Sequence, residues 1–161
     1  RTSTLEKACG VLSNVSYEGP LAEAIANAQG VSVVVEAMRN NGTSVSLLEV
    51  GCIALRNIVF EFPDFAQEAS AVISTILNAM RDNTDAVSFQ QEACSLLLVL
   101  AAEDESCQSK ILALEGMDVL MRCLDHNSHL QEVQKVALGA ITRLTRGAES
   151  GAGSIYPAHF V

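Results

Sequence analysis

The side chains in this sequence with the clearest chemical potential are a row of polar residues at fixed spacing and one His/Cys cluster. Asn14 and Asn57 are 43 residues apart, and the same step pattern leads on to Val99 and Arg143. An Asn carboxamide both donates and accepts hydrogen bonds, so it can bond to the backbone of an extended peptide whatever that peptide's side chains. Ser13, Arg56, Leu98 and Thr142 flank that row, and Glu18, Glu61 and Glu103 recur in phase, where they would meet Lys or Arg of a partner. Cys123, His126 and His129 have metal-like spacing, but Zn²⁺ needs three or four convergent N or S ligands. A fourth is missing and Cys123 falls in an apolar turn, so no metal and no other cofactor is expected.

Catalysis finds little support. The stretch 147–153 is Gly-rich but lacks the Lys-Ser/Thr of a phosphate loop and follows no strand. The three His lie in a turn or the tail, where no Ser-His-Asp arrangement can be argued. Glu103-Asp104-Glu105 reads as charge favourable to a helix N-terminus. The expectation is a protein that is not an enzyme.

The elements that must position the polar row are written into the chain four times. Ala8-Cys9, Gly51-Cys52, Ala93-Cys94 and Ala137-Leu138 each open one copy, at steps of 43, 42 and 44 residues. Leu12, Leu55, Leu97 and Ile141 follow in phase, and then Val15, Ile58, Leu100 and Leu144. Such spacing makes one apolar stripe of an amphipathic helix. A second block keeps the register: Val34, Ile76 and Leu120, then Met38, Met80 and Leu124. Fixed periods of this length specify stacked helical units. The apolar content of 49%, only 3 Pro and no Trp also favour helix, so the fold class is all-α.

Helices are expected over about 4–15, 21–29, 31–40 and 45–60, then 63–69, 71–81 and 86–102, and finally 105–115, 118–124 and 130–145. Glu18-Gly19-Pro20 and Asn40-Asn41-Gly42 are turns; Asp82-Asn83-Thr84-Asp85 is read as the cap of the helix after it, and Asp125-His126-Asn127-Ser128 as a connection. Tyr17 and Phe60 share one repeat position at the ends of long helices, where an aromatic either plugs the gap between helix ends or anchors a ligand. Residues 147–154 have linker composition, and the apolar tail 155–161 has no counterpart in the repeats.

The net charge of −9, from 19 acidic and 10 basic residues, repels a phosphate backbone. Nucleic acid is therefore not expected as a partner, and a basic peptide or protein surface is the easier one. The same excess of acid also serves solubility alone. The longest apolar stretch, 96–102, is far short of the ~20 residues of a membrane span, so no membrane association is expected. Five cysteines form no CxxC pair. Cys9, Cys52 and Cys94 share a position that Leu138 takes in the last copy, which marks a buried apolar slot. Side-by-side helices place such positions about 10 Å apart, too far for a disulfide. Reduced thiols imply an intracellular compartment, cytoplasmic or nuclear. The chain opens part-way into a repeat at Arg1, as a piece of something longer would.

A short, a medium and a long helix in about 42 residues, with Gly between the first two, resembles the armadillo repeat. Ile25 to Val31 and Ile111 to Met117 resemble the family's passage between first and second helices. Cys9 to Val15 and Cys52 to Ile58 resemble its third helix, "Ala-x-x-Leu-x-Asn-Leu". The resemblance covers residues 4–146: a trailing third helix (4–16) and repeats at about 20–60, 63–102 and 104–146. It implies a right-handed α-solenoid whose third helices line a concave face. It further implies a non-catalytic protein–protein interaction scaffold that binds a protein segment or extended peptide there. The residues so implicated are Asn14, Ile53, Arg56, Asn57, Ser95, Val99 and Arg143. Asn57→Ala and Arg56→Ala should then weaken capture and leave thermal stability unchanged. The family's peptide binders carry an aromatic, often Trp, four residues before the Asn. Gly10, Ile53, Ser95 and Gly139 stand there instead, which argues against the importin manner of binding. Val72 replaces the Gly of the middle repeat, so that junction should be straighter. Two other readings are a structural accessory subunit of a large assembly and a regulatory segment of a longer multidomain protein. Oligomeric state is left open by the sequence.

Overall fold

The computed structural model describes residues 2–151, and all its regular structure is helical. The expectations for residues 152–161 lie outside the described residues. In chain order the helices are α1 (Thr2–Val15), α2 (Gly19–Asn27), α3 (Gly30–Asn40), α4 (Val45–Glu61), α5 (Ala66–Ala69), α6 (Ile73–Asp82), α7 (Val87–Glu103), α8 (Glu105–Ala113), α9 (Gly116–His126) and α10 (Gln131–Gly151). Short 3-10 turns, Pro63–Phe65 and Ser70–Val72, flank α5.

The long helices carry the packing. α4 lies between α1 and α7, and α7 lies between α4 and α10. Their apolar columns supply the core: Cys52, Leu55, Ile58, Cys94, Leu97 and Leu100 are fully buried, with Ala137 and Leu144 on α10. Burying each such side chain is worth roughly 1.5–3 kcal/mol relative to exposure, which outweighs the weak helix preference of β-branched residues. That is why Val31, Val34 and Val35, all buried, are helical in α3; Val33 is carried in the same helix although 57% exposed. The middle helices pack on the same core through Val34, Met38, Ile76, Met80 and Leu120.

Glycine is required at two junctions. Gln29 and Glu115 adopt left-handed backbone, and a Cβ on the following Gly30 or Gly116 would sit 2.5 or 2.7 Å from the carbonyl oxygen of Ile25 or Ile111. The middle unit, with Val72, stays right-handed through its 3-10 turn and has no left-handed residue at that junction.

Three expectations need correction. Leu138 is 49% exposed, although Cys9, Cys52 and Cys94 at the matching positions are buried. Cys94 is covered by Cys123 of the following unit, and no described unit follows α10. Residues 147–151 are helical rather than linker. Gly147 there meets Gln108 of α8 so closely that a Cβ would overlap its amide, so this Gly serves close approach and not flexibility. The segment 82–85 caps the helix before it. Asn83 Nδ2 donates to the Ala79 carbonyl at 2.8 Å, while the N-terminus of α7 has no side-chain cap.

A candidate binding groove between the long helices

The site grows from the way α4 is fastened to its neighbours. Arg56 and Asn57 are adjacent on α4 and project toward the seams on either side. Asn57 Nδ2 donates to Ser16 Oγ at 3.0 Å and to the Ser13 carbonyl at 3.4 Å. Ser16 Oγ in turn donates to the Ser13 carbonyl at 2.8 Å. The Asn57 carboxamide oxygen accepts from Arg56 Nε and Nη2, each at 3.2 Å. Arg56 Nη1 pairs with Glu92 of α7 at 2.5 Å, with both side chains largely covered (22% and 17% exposed). One linked set of polar groups therefore ties α1, α4 and α7 together.

This corrects the expectation for Arg56 and Asn57. Both are engaged within the protein, so Ala at either position would remove inter-helix bonds and should lower stability. Losing one partner of a partly covered ion pair, or leaving a bonded amide unmatched, costs more than an exposed contact would.

Above this set lies a groove of ≈ 310 Å³ whose floor includes Ser16, Arg56, Asn57 and Val99. Its rim carries Tyr17, just after α1, and Phe60 with Glu61, in the last turn of α4. Tyr17 is 68% and Phe60 66% exposed. Neither aromatic plugs a gap between helix ends, so of the two roles open to them the plug is ruled out. Arg56 Nη2 approaches the Tyr17 hydroxyl at 3.4 Å, which aims that ring over the groove. Glu61 makes no ion pair among the described residues. With the Arg56 charge balanced by Glu92, the groove offers two π faces, an apolar floor at Val99 and one open carboxylate.

The remaining members of the row are dispersed. Asn14 is exposed on α1 and Arg143 on α10, and neither lines the groove. Ile53 is half-buried and does not line the groove. Ser95 is buried, and its Oγ donates back to the Gln91 carbonyl at 2.9 Å, so it presents nothing to a ligand. The structure thus brings together Arg56, Asn57 and Val99, and leaves Asn14, Ile53, Ser95 and Arg143 outside.

The other chemical candidates resolve differently. Cys123 Sγ faces Cys94 Sγ at 3.7 Å, whereas His126 Nε2 faces Asp85 at 2.9 Å. Among the described residues no three His, Cys, Asp or Glu converge as metal ligands. Asp104 is the N-cap of α8, accepting from the backbone N–H of Ser106 and Cys107. Hydrogen bonds from Ser106 and from Gln67 of the preceding unit hold its carboxyl below the ordinary aspartate range.

No family model matches the chain, and no curated protein does. Among solved structures it is similar to the crystal structure of an engineered protein from the Northeast Structural Genomics Consortium, with a TM-score of 0.73 and 24% identity. The match covers 88% of this chain and 56% of that one, so this chain spans little more than half of the engineered protein's length. The likeness is one of fold. No helix among the described residues is long and apolar enough to cross a membrane.

Proposed function

We propose that the chain is an armadillo-type helical-repeat scaffold that binds an extended protein segment in the groove over α1, α4 and α7. The observation that carries the reading is the pair Tyr17 and Phe60. These are two large aromatic side chains at one repeat position, both mostly exposed beside the same groove. Aromatic side chains are enriched in protein interfaces, and those that a partner buries, Tyr above all, are prominent among the residues that dominate binding energy. In-phase stacking of the long helices supports the solenoid part of the proposal, since each unit uses the same apolar columns against the next. The partner segment carries apolar side chains for the Tyr17 and Phe60 rings and a Lys or Arg for Glu61. The protein's net charge of −9 draws such a segment in.

The test is to pan a random peptide display library against the chain and measure the enriched peptides by fluorescence anisotropy. Expected peptides carry a basic residue next to apolar ones, and they bind the Tyr17→Ala and Phe60→Ala variants at least about tenfold more weakly. Failure to enrich any peptide, or affinities unchanged in both variants, would reject the reading.

A further inference from the structure

On the other side of α7 from the groove, two buried thiols face each other. Cys94 of α7 is fully buried and Cys123 of α9 is 5% exposed, and their sulfurs stand 3.7 Å apart. Cys123 Sγ also receives Asn127 Nδ2 at 3.8 Å. Cys123 lines a cleft of ≈ 50 Å³ between α6, α7 and α9. A cleft needs only about 10–15 Å³ to hold one water, so a molecule of a few heavy atoms fits. Met80 and Val119 form its apolar wall, while Arg81, Arg122 and His126 supply cationic or protonatable side chains. All three are exposed, so the cleft reaches solvent. Arg122 pairs with Asp118, and His126 with Asp85. Arg81 is held by Asn78 and the Leu114 carbonyl, neither of them a carboxylate.

We infer that Cys123 is an oxidative modification site for a small hydroperoxide, with Cys94 as its resolving thiol. The two sulfurs are not equivalent. Cys123 is the one that touches the cleft and has an amide donor, whereas Cys94 is enclosed. Hydrogen bonding from Cys94, aided by Asn127 against the opposing effect of burial, favours the thiolate at Cys123, and the same bond and burial push Cys94 up. The other thiols lack this setting. Burial raises Cys9 and Cys52, and it pushes Cys107 up to about 11. A thiolate is the nucleophile in such chemistry, so reactivity follows these environments.

The chemistry balances with hydrogen peroxide as the oxidant. The Cys123 thiolate attacks one peroxide oxygen, the O–O bond breaks, and the departing hydroxide takes up a proton to leave as water. This leaves a sulfenic acid on Cys123. Cys94 then attacks the Cys123 sulfur. An S–S bond forms, the S–O bond breaks, and hydroxide leaves as a second water with the Cys94 proton. Two thiols are oxidised by two electrons and one peroxide is reduced to two waters. The sulfurs must close from 3.7 Å to about 2.05 Å, which ties α7 to α9 across the seam between successive units.

The experiment exposes the full chain to hydrogen peroxide, blocks free thiols after denaturation, and maps the peptides by mass spectrometry. The expected product is a Cys94–Cys123 cross-linked peptide, formed at least about tenfold faster than any oxidation of Cys9, Cys52 or Cys107. In the Cys94→Ser variant, dimedone should label Cys123 as a sulfenic acid, and no cross-link should form. Should that variant fail to fold, the order of oxidation in the parent chain decides alone. Oxidation spread evenly over the five thiols, or a cross-link involving any other pair, overturns the inference.

Discussion

Replacing Gln90 with Leu removes a bond set that recurs along the chain and whose cost can be worked out. Gln90 is 2% exposed on α7, and its Nε2 donates to the Met80 carbonyl at 2.9 Å and to the Asn83 carbonyl at 2.8 Å. Met80 lies near the C-terminus of α6, where carbonyls have no partner within the helix. Two neutral hydrogen bonds are worth about 1 kcal/mol each, and stranding a buried carbonyl adds roughly 1–3 kcal/mol. Leu recovers part of this by burying apolar surface of similar volume, as Leu48 does at the matching position of the first unit. The net loss expected for Gln90→Leu is about 2 kcal/mol, or a Tm about 4–8 °C lower for a chain of this size. Gln134 makes the same pair of bonds, to Leu124 at 2.6 Å and Asn127 at 3.2 Å, but is only half-buried. Water replaces part of its loss, and Gln134→Leu should cost about half as much. Urea titrations followed by far-ultraviolet circular dichroism read both variants against the parent. A Gln90→Leu protein as stable as the parent, or less affected than Gln134→Leu, would refute the reasoning.

Other outcomes follow from the same physics. Gly30→Ala and Gly116→Ala should each destabilise by at least about 2 kcal/mol, because the new Cβ meets backbone oxygen. Gly10→Ala, with open space around it inside α1, should stabilise by about 0.5–1 kcal/mol; thermal melts separate the two groups. Asp104→Asn should lose stability only where the parent carboxylate is ionised. The Asp104 pKa is lowered by folding, so its contribution is present above the unfolded value near 3.9 and fades as pH falls through the lower folded value. Parent and variant melts should therefore differ at pH 7 and converge in strong acid; a gap that persists there would contradict the assignment. Peroxide treatment that yields the Cys94–Cys123 bond closes a loop across 29 residues, which adds up to about 3.6 kcal/mol if strain is small. Melts run with and without reductant would show that gain as a higher midpoint for the oxidised chain.

The helices were legible because their apolar columns repeat in phase, and burial of those columns decides local structure. Even the β-branched run 31–35 was readable, since its counterparts in the other units are helical. The polar fastenings were less legible, though part of their signal was present. Asn41, Asn83 and Asn127 follow the steps of 42 and 44, and each donates to the carbonyl four residues before it. Gln90 and Gln134 are likewise 44 apart. A search for polar as well as apolar periodicity would have found both sets. The Arg56–Glu92 pair has no in-phase counterpart among the described residues, so no period could reveal it. That pair is why the site read differently in three dimensions. Asn57 and Arg56 looked outward by analogy, yet they close the seam, and the exposed chemistry shifts to Tyr17, Phe60 and Glu61. Gly147 misled for a related reason, because composition alone cannot separate a flexible Gly from one pressed against Gln108.

The central claim, that the groove beside Tyr17 and Phe60 captures an extended segment, is tested most directly by measuring affinity and stability together. A selected peptide is titrated against the parent, Phe60→Ala and Tyr17→Ala proteins, and each protein is melted alone. The account predicts a loss of binding of about tenfold or more with melting midpoints unchanged within about 2 °C, because both side chains are mostly exposed. Full affinity in both variants, or a loss of affinity matched by a loss of stability, would contradict it.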